Sequence, residues 1–298
     1  MATDNFIPEI WAAEYLRALE KSLVFGQLGI INRDYEGDIA QAGDTVRINE
    51  IGDITVKPYT KNGSIDAPET LNGAQQVMQI TEMDYFNFEV DNVDAAQQKP
   101  KLMQAAMANS AYKMRDTIDQ FLAGMYTGAA AANLIGSTAS PKLPNNTAGD
   151  AQNVFKLVTL CRQALVKANA PSGGWWMIVQ PELYTLMLND DRFSKADASG
   201  TTMGLRNGQV GNIAGFTVLE SNNVEYIEDG DGSHDVYKVM FGTSQAITFA
   251  SQINKVVPYE PEDSFSDAVK GIQVYGAKVV RPACLGVLSC YTTWGDDI

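Results

Sequence analysis

Hydrophobic and polar positions change period several times along this chain, and each change predicts an element. From residue 7, Ile7, Trp11, Tyr15, Leu19 and Leu23 recur at helical spacing, with Pro8 suited to a first turn and Gly26 or Gly29 to an end. The pattern predicts an N-terminal arm over 1–35 carrying one amphipathic helix. A short terminal helix is marginal alone, so its apolar stripe needs a partner surface, in its own core or on another subunit.

The period then falls to two. Thr45 to Ile51 alternates as a strand, and Val77 to Val90 alternates again, with Phe86, Phe88 and Val90 on one face. Between them, residues 52–76 are rich in Gly, Pro, Asn, Asp and Thr. So long a connection usually has a task of its own. The arrangement predicts an extended hairpin that projects from the body and gains order by lying on something else.

Residues 98–127 predict the longest helix: Met103, Met107, Met114, Ile118, Phe121 and Met125 step by three, four or seven. A methionine stripe can serve as a binding face, but packing against a sheet accounts for it more simply. Val154, Val158, Cys161 and Leu165 predict a second helix, Trp175 to Val179 a buried strand, and Pro181 a short helix start. Strands are expected at 214–221, 236–242 and 245–250, with a closing pair over 272–280 and 285–292. The class is α+β with mixed or antiparallel sheets.

Composition narrows the function. Of 298 residues, 45% are hydrophobic and 19% charged, which suits a sizeable core. No apolar run approaches the roughly 20 residues of a membrane helix. The first residues lack the basic flank and apolar stretch of a signal peptide, so synthesis and use from a cytoplasm are expected. The net charge of −14 opposes sequence-independent binding of nucleic acid through a basic surface. Three cysteines, Cys161, Cys284 and Cys290, show no metal spacing.

Candidate chemistry adds little. The three glycines Gly208, Gly211 and Gly215 precede a strand, whereas a phosphate loop needs them between a strand and a helix. They are read as a turn feeding Phe216 to Leu219. The single histidine, His234, lies in the polar loop 229–235, where an EF-hand would require glycine. Gly242-Thr243-Ser244-Gln245-Ala246 resembles a nucleophile elbow without its final glycine, and a tight hairpin turn reads it better. No catalytic residue, metal ligand set or cofactor site is expected. Loop carboxylates leave a soluble carboxylate-dependent hydrolase as a rival from another class.

The order of parts resembles the major capsid protein of tailed phages, the Hong Kong 97-type fold. "FIPEIWAAEYLRALEKSLVFGQL" with "GDTVRI", "DYFNFEVDNVDAAQ" before the long helix, "IVQPELYTLMLNDDRF", "GQVGNIAGFTVLESNNV" and "VYGAKVVRP" together carry the resemblance over nearly the whole chain. The resemblance implies an N-terminal arm at 1–35 and an E-loop hairpin at 36–80 that lies across a neighbouring subunit. It implies a peripheral domain at 81–149 built on the spine helix (98–127), an axial domain at 150–255, and return strands at 256–298 that complete the peripheral domain.

The function so implied is a virion shell protein, not an enzyme, assembling in a bacterial cytoplasm through pentamers and hexamers around double-stranded DNA that it does not bind by sequence. The negative charge fits a wall that does not adhere to its contents. Further implied partners are a portal protein, a separate scaffolding protein, since the arm begins close to Met1, and a decoration or cement protein. The expected contacts between subunits are Trp11, Leu19, Lys57, Tyr59, Lys61, Asn62 and Arg281. Lys57, Lys61 and Asn62 lie near the hairpin tip, where some members of the family form a lysine–asparagine cross-link. Ion pairs to an acidic neighbour are the plainer reading. An encapsulin-type nanocompartment shell, enclosing a cargo enzyme, shares the fold and is the runner-up.

Overall fold

The computed structural model describes residues 24–27, 29–34, 45–51, 56–59, 61, 67, 73–91, 102–147, 150–190, 212–228, 234–262 and 266–292. The mixed architecture expected from the sequence is present, in three sheets.

The first sheet is the hairpin of β1 (Thr45–Ile51) and β2 (Gly73–Gln79), antiparallel in a seven-pair ladder from Thr45↔Gln79 to Ile51↔Gly73. The alternation from Val77 to Val90 is therefore two strands. It breaks at Ile80-Thr81, after which β3 (Glu82–Asp91) leaves for another sheet. The hairpin root has one apolar face. Val46, Ile48, Met78 and Ile80 are buried and pack with Ala250 and Val274, while Arg47 is exposed on the other face. Gln76 donates through Nε2 to the Val280 carbonyl at 3.2 Å, and Lys278 donates through Nζ to the Val77 carbonyl at 2.8 Å.

The second sheet runs β10 (Ile247–Tyr259), β11 (Ser266–Val279), β3, all antiparallel. The third is larger. β12 (Leu285–Cys290), β9 (Asp235–Thr243), β5 (Trp175–Val179) and β7 (Phe216–Glu220) form its centre. The short strands β4 (Leu134–Ile135), β6 (Asn212–Ile213) and β8 (Tyr226–Glu228) complete it. β5 and β7 are parallel, and β9 is antiparallel to both β5 and β12. Every residue of β5 and β12 is buried, as central strands covered on both faces require.

The closing pair predicted at 272–280 and 285–292 does not form: β11 pairs with β10 and β3, and β12 joins β9 and β4 in the third sheet. The cause is local. The chain turns through a single 3₁₀ turn at Pro282–Cys284. Asn133, itself buried, donates to the Ala283 carbonyl at 2.8 Å and the Leu285 carbonyl at 3.0 Å, aiming β12 away from β11. The turn at Thr243–Ala246 is tight, with Ala246 N–H donating to the Thr243 carbonyl, but it is no hairpin. It carries the chain from the third sheet to the second.

Helix α1 (Leu102–Ala123) is the long predicted helix, extended by a 3₁₀ turn over Gly124–Gly128. The expected stripe faces inward from Met107 onward, and the Met103 side chain lies outside the described residues. Met114 and Ile118 are buried, and Met107, Phe121 and Met125 pack alongside. One apolar cluster joins α1 to both larger sheets: it holds Ile118 and Leu122 of α1, Phe249 and Tyr275 of the second sheet, and Trp176, Ile178 and Met240 of the third. Phe121 sets the edge of its ring against Tyr275, centroids 5.3 Å apart. The described end of the arm enters the same cluster through Phe25, Ile30 and Ile31, so this part of 1–35 belongs to the core.

Helices α2 (Val154–Lys167) and α3 (Pro181–Leu188) cover the other face of the third sheet. Val154, Val158, Cys161 and Leu165 are all buried there, as their spacing predicts. Asn153 caps α2, accepting the Phe155 N–H at 3.1 Å. Of the three glycines, Gly208 and Gly211 lie outside the described residues, and Gly215 forms with Ala214 a two-residue turn between β6 and β7. Ala214 (φ 50°) and Gly215 (φ 90°) both adopt positive φ, the geometry of a type I′ hairpin. It feeds a strand and leads to no helix N-terminus.

Candidate assembly surfaces

The hairpin is anchored at one end and exposed at the other. Beyond the ladder, Val56 is 92% and Tyr59 66% exposed, and Lys57 and Lys61 are exposed with them. Of the other expected contact residues, Trp11, Leu19 and Asn62 lie outside the described residues. Arg281 follows β11, where its backbone N–H donates to the Ala246 carbonyl and its Nη1 donates to Gln245 Oε1 at 2.8 Å. This braces the turn between the second and third sheets, beside the Gln76–Val280 contact of the hairpin root. Arg281 thus has a role within its own subunit, while Lys57, Tyr59 and Lys61 share the exposed segment between β1 and β2.

The sequence reading overlooked a second apolar surface. Phe86 and Phe88 of β3 turn inward, and the opposite face presents Met83, 54% exposed, and Tyr85, 77% exposed. The signal was present: β3 carries large apolar residues on both faces, which a strand with one solvated face does not need. On the same outer face, Tyr259 donates to Asn87 Oδ1 at 3.0 Å, and Lys270 stands over the Tyr259 ring at 4.5 Å. The hairpin root covers the neighbouring part of this face at Ala250 and Val274. Between β3 and α1 lies an open cavity of about 300 Å³ lined by Asp84, Tyr85, Asn109, Ser110 and Lys113. On α2, Leu160 and Val166 are exposed too, away from the third sheet.

Among the described residues, these surfaces assemble no reacting centre. Ser244 is followed by strand β10, whereas an elbow requires a helix. His234 lies against the Tyr291 ring, centroids 4.5 Å apart. Among the described residues, no three His, Cys, Asp or Glu side chains group as metal ligands. The three cysteines are free and buried. Burial pushes the Cys290 thiol up to about 12 and the Cys161 thiol higher still, which makes both poor nucleophiles.

Buried polar groups instead tie elements together. Lys238 of β9, almost fully buried, donates to Thr138 Oγ1 at 2.8 Å and to Ser289 Oγ at 3.2 Å, fastening the segment after β4 to the third sheet. Burial lowers its pKa. Tyr275 of β11 donates to Asp84 of β3 at 2.7 Å; burial first, and then this carboxylate, push its hydroxyl well above the ordinary tyrosine value. Asn223, after β7, donates to Asp116 of α1 at 2.8 Å.

Comparison with known proteins gives these surfaces their context. Residues 84–287 match the phage capsid protein family. Among solved structures, one from Mycobacterium phage Che8 is 28% identical, with 96% of this chain and 98% of that chain aligned at a TM-score of 0.67. The capsid of Ralstonia phage GP4 is 14% identical, with 92% and 89% aligned at a TM-score of 0.68. A virus-like particle from Pyrococcus furiosus has the same fold at 12% identity, with 96% and 100% aligned and a TM-score of 0.56. No curated protein sequence matches the chain. The family match spans the spine helix and both larger sheets, and the arrangement of hairpin, spine and sheets is that of phage shells: the chain belongs to the phage capsid protein family and has the Hong Kong 97-type fold.

Proposed function

We propose that this protein is the major subunit of an icosahedral shell, assembling through pentamers and hexamers around packaged double-stranded DNA. Membership of the phage capsid protein family supports a structural role in the virion capsid. The observation that carries the finer reading is the hairpin: its root is sealed into the core by Val46, Ile48, Met78 and Ile80, while Val56 and Tyr59 beyond the ladder are exposed. Exposed apolar groups on a projecting segment are explained if a neighbouring subunit covers them.

In this reading residues 36–80 are the E-loop, laid across the next subunit. Residues 1–35 are the arm, with Trp11 and Leu19 toward a neighbour. The peripheral domain takes 81–149, and the axial domain takes 150–255 and meets its copies around the symmetry axes. The return strands, proposed over 256–298 for the peripheral domain, are divided by their pairing. β11 serves the sheet that holds β3, and β12 lies in the sheet of β5, β7 and β9. Residue 255 itself falls inside β10.

Assembly would occur in the host cytoplasm, with a scaffolding protein, a portal protein and a decoration protein as partners. The net charge of −14 favours enclosing DNA over adhering to it. Coexpression with a candidate scaffolding protein, followed by electron microscopy, tests the reading. Uniform closed shells with pentameric and hexameric units support it, and particles of any other symmetry refute it. A nanocompartment shell shares the fold, so particles that retain a cargo enzyme and exclude DNA would transfer the assignment.

A further inference from the structure

Asp119 sits on α1 where the chain enters the core, and it is only 2% exposed. Its Oδ2 accepts the Val24 N–H at 2.9 Å, and the N–H groups of Phe25 and Gly26 also point at the carboxyl. Successive amides turned on one carboxyl group make an anion-binding concavity. The other oxygen, Oδ1, is buried with no hydrogen-bond partner. A carboxylate so placed gives up water on one oxygen and receives nothing for it.

Among the described residues, few charges face it. Arg115, one turn earlier on α1, lies over the Tyr112 ring and acts on Asp119 weakly. Asp116 is engaged by Asn223. Val24, Phe25 and Gly26 carry no ionisable side chain, and Arg33, further along the arm, lies over Phe249.

We infer that seating of residues 24–26 on α1 is coupled to uptake of one proton by Asp119, so that the arm root is held more firmly at acidic than at neutral pH. Burial pushes the carboxyl from 3.8 up to about 6, against the lowering effects of the Val24, Gly26 and Phe25 amides and of Arg115. A seated Asp119 therefore binds a proton at pH values where a hydrated one has lost it. The seated state gains as pH falls through 6 toward 4, and the gain disappears above pH 7. Linkage makes seating about tenfold more favourable at pH 5 than at pH 8. The coupling acts within one subunit and is independent of the shell reading.

Amide hydrogen exchange of the full-length protein across pH 5 to 8, corrected for intrinsic exchange rates, tests this. Protection at Val24, Phe25 and Gly26 should rise about tenfold from pH 8 to pH 5. Asp119→Asn should flatten that dependence. Arg115→Gln, which leaves the contact intact, should keep the pH dependence, with any shift of the midpoint small and toward higher pH, and it serves if the Asn variant does not fold. Protection that is constant or falls on acidification overturns the inference. So does a slope that survives in Asp119→Asn, or a slope that is lost in Arg115→Gln.

Discussion

Gly276 of β11 lies directly against Gln79 at the end of β2: a Cβ on Gly276 would stand 2.7 Å from the Gln79 carbonyl oxygen and 3.0 Å from Ile80 Cδ1. The hairpin root reaches its seat only because that side chain is missing. Gly276→Ala must therefore push the root off the sheet, since the nearest obstacle is backbone. A loss of about 1–3 kcal/mol is expected, as for other overpacked sites. Urea unfolding of the variant subunit measures it, and an unchanged midpoint would contradict the close approach.

The hairpin beyond its ladder should be dispensable for folding and required for assembly. Ile51 pairs with Gly73, so replacing residues 52–72 by Asn-Gly closes the ladder with a two-residue turn and leaves Val77, Met78 and Ile80 in place. The expected product is a subunit with native circular dichroism that forms no closed shell. Shells from this variant would remove the hairpin from the subunit interface.

Asn133 holds two carbonyls at the turn that sends β12 into the third sheet. Asn133→Ala leaves both without that donor, the Leu285 carbonyl in a buried position. A cost of about 1–3 kcal/mol is expected, and with it faster amide exchange in β12. Calorimetry and exchange on the same sample check both parts.

Cys161, Cys284 and Cys290 are buried and free. Thiol titration with a disulfide reagent at pH 8 should find no fast-reacting group in the native protein and three in urea. Burial both shields these thiols and, for Cys161 and Cys290, disfavours the thiolate.

Sequence periodicity revealed the elements better than their pairing. Val154, Val158, Cys161 and Leu165 stand on one face because α2 has a single covering sheet, and a simple repeat reports that. The turn that leads β12 into the third sheet is held by Asn133, some 150 positions away in the chain, and no local pattern contains that contact. The break at Ile80-Thr81 was hidden because β2 and β3 each alternate, in different sheets, without a turn residue between them. The exposed face at Met83 and Tyr85 was legible in principle, since both faces of β3 carry large side chains. Asp119 was not: on a helix its polarity reads as a solvated position until the arm folds over it.

The central claim, that this chain builds a closed shell, is met most directly by negative-stain electron microscopy of the purified protein, expressed alone and with its neighbouring genes. Closed polyhedral particles in either preparation are the predicted result. Monomers or dimers in both would contradict it.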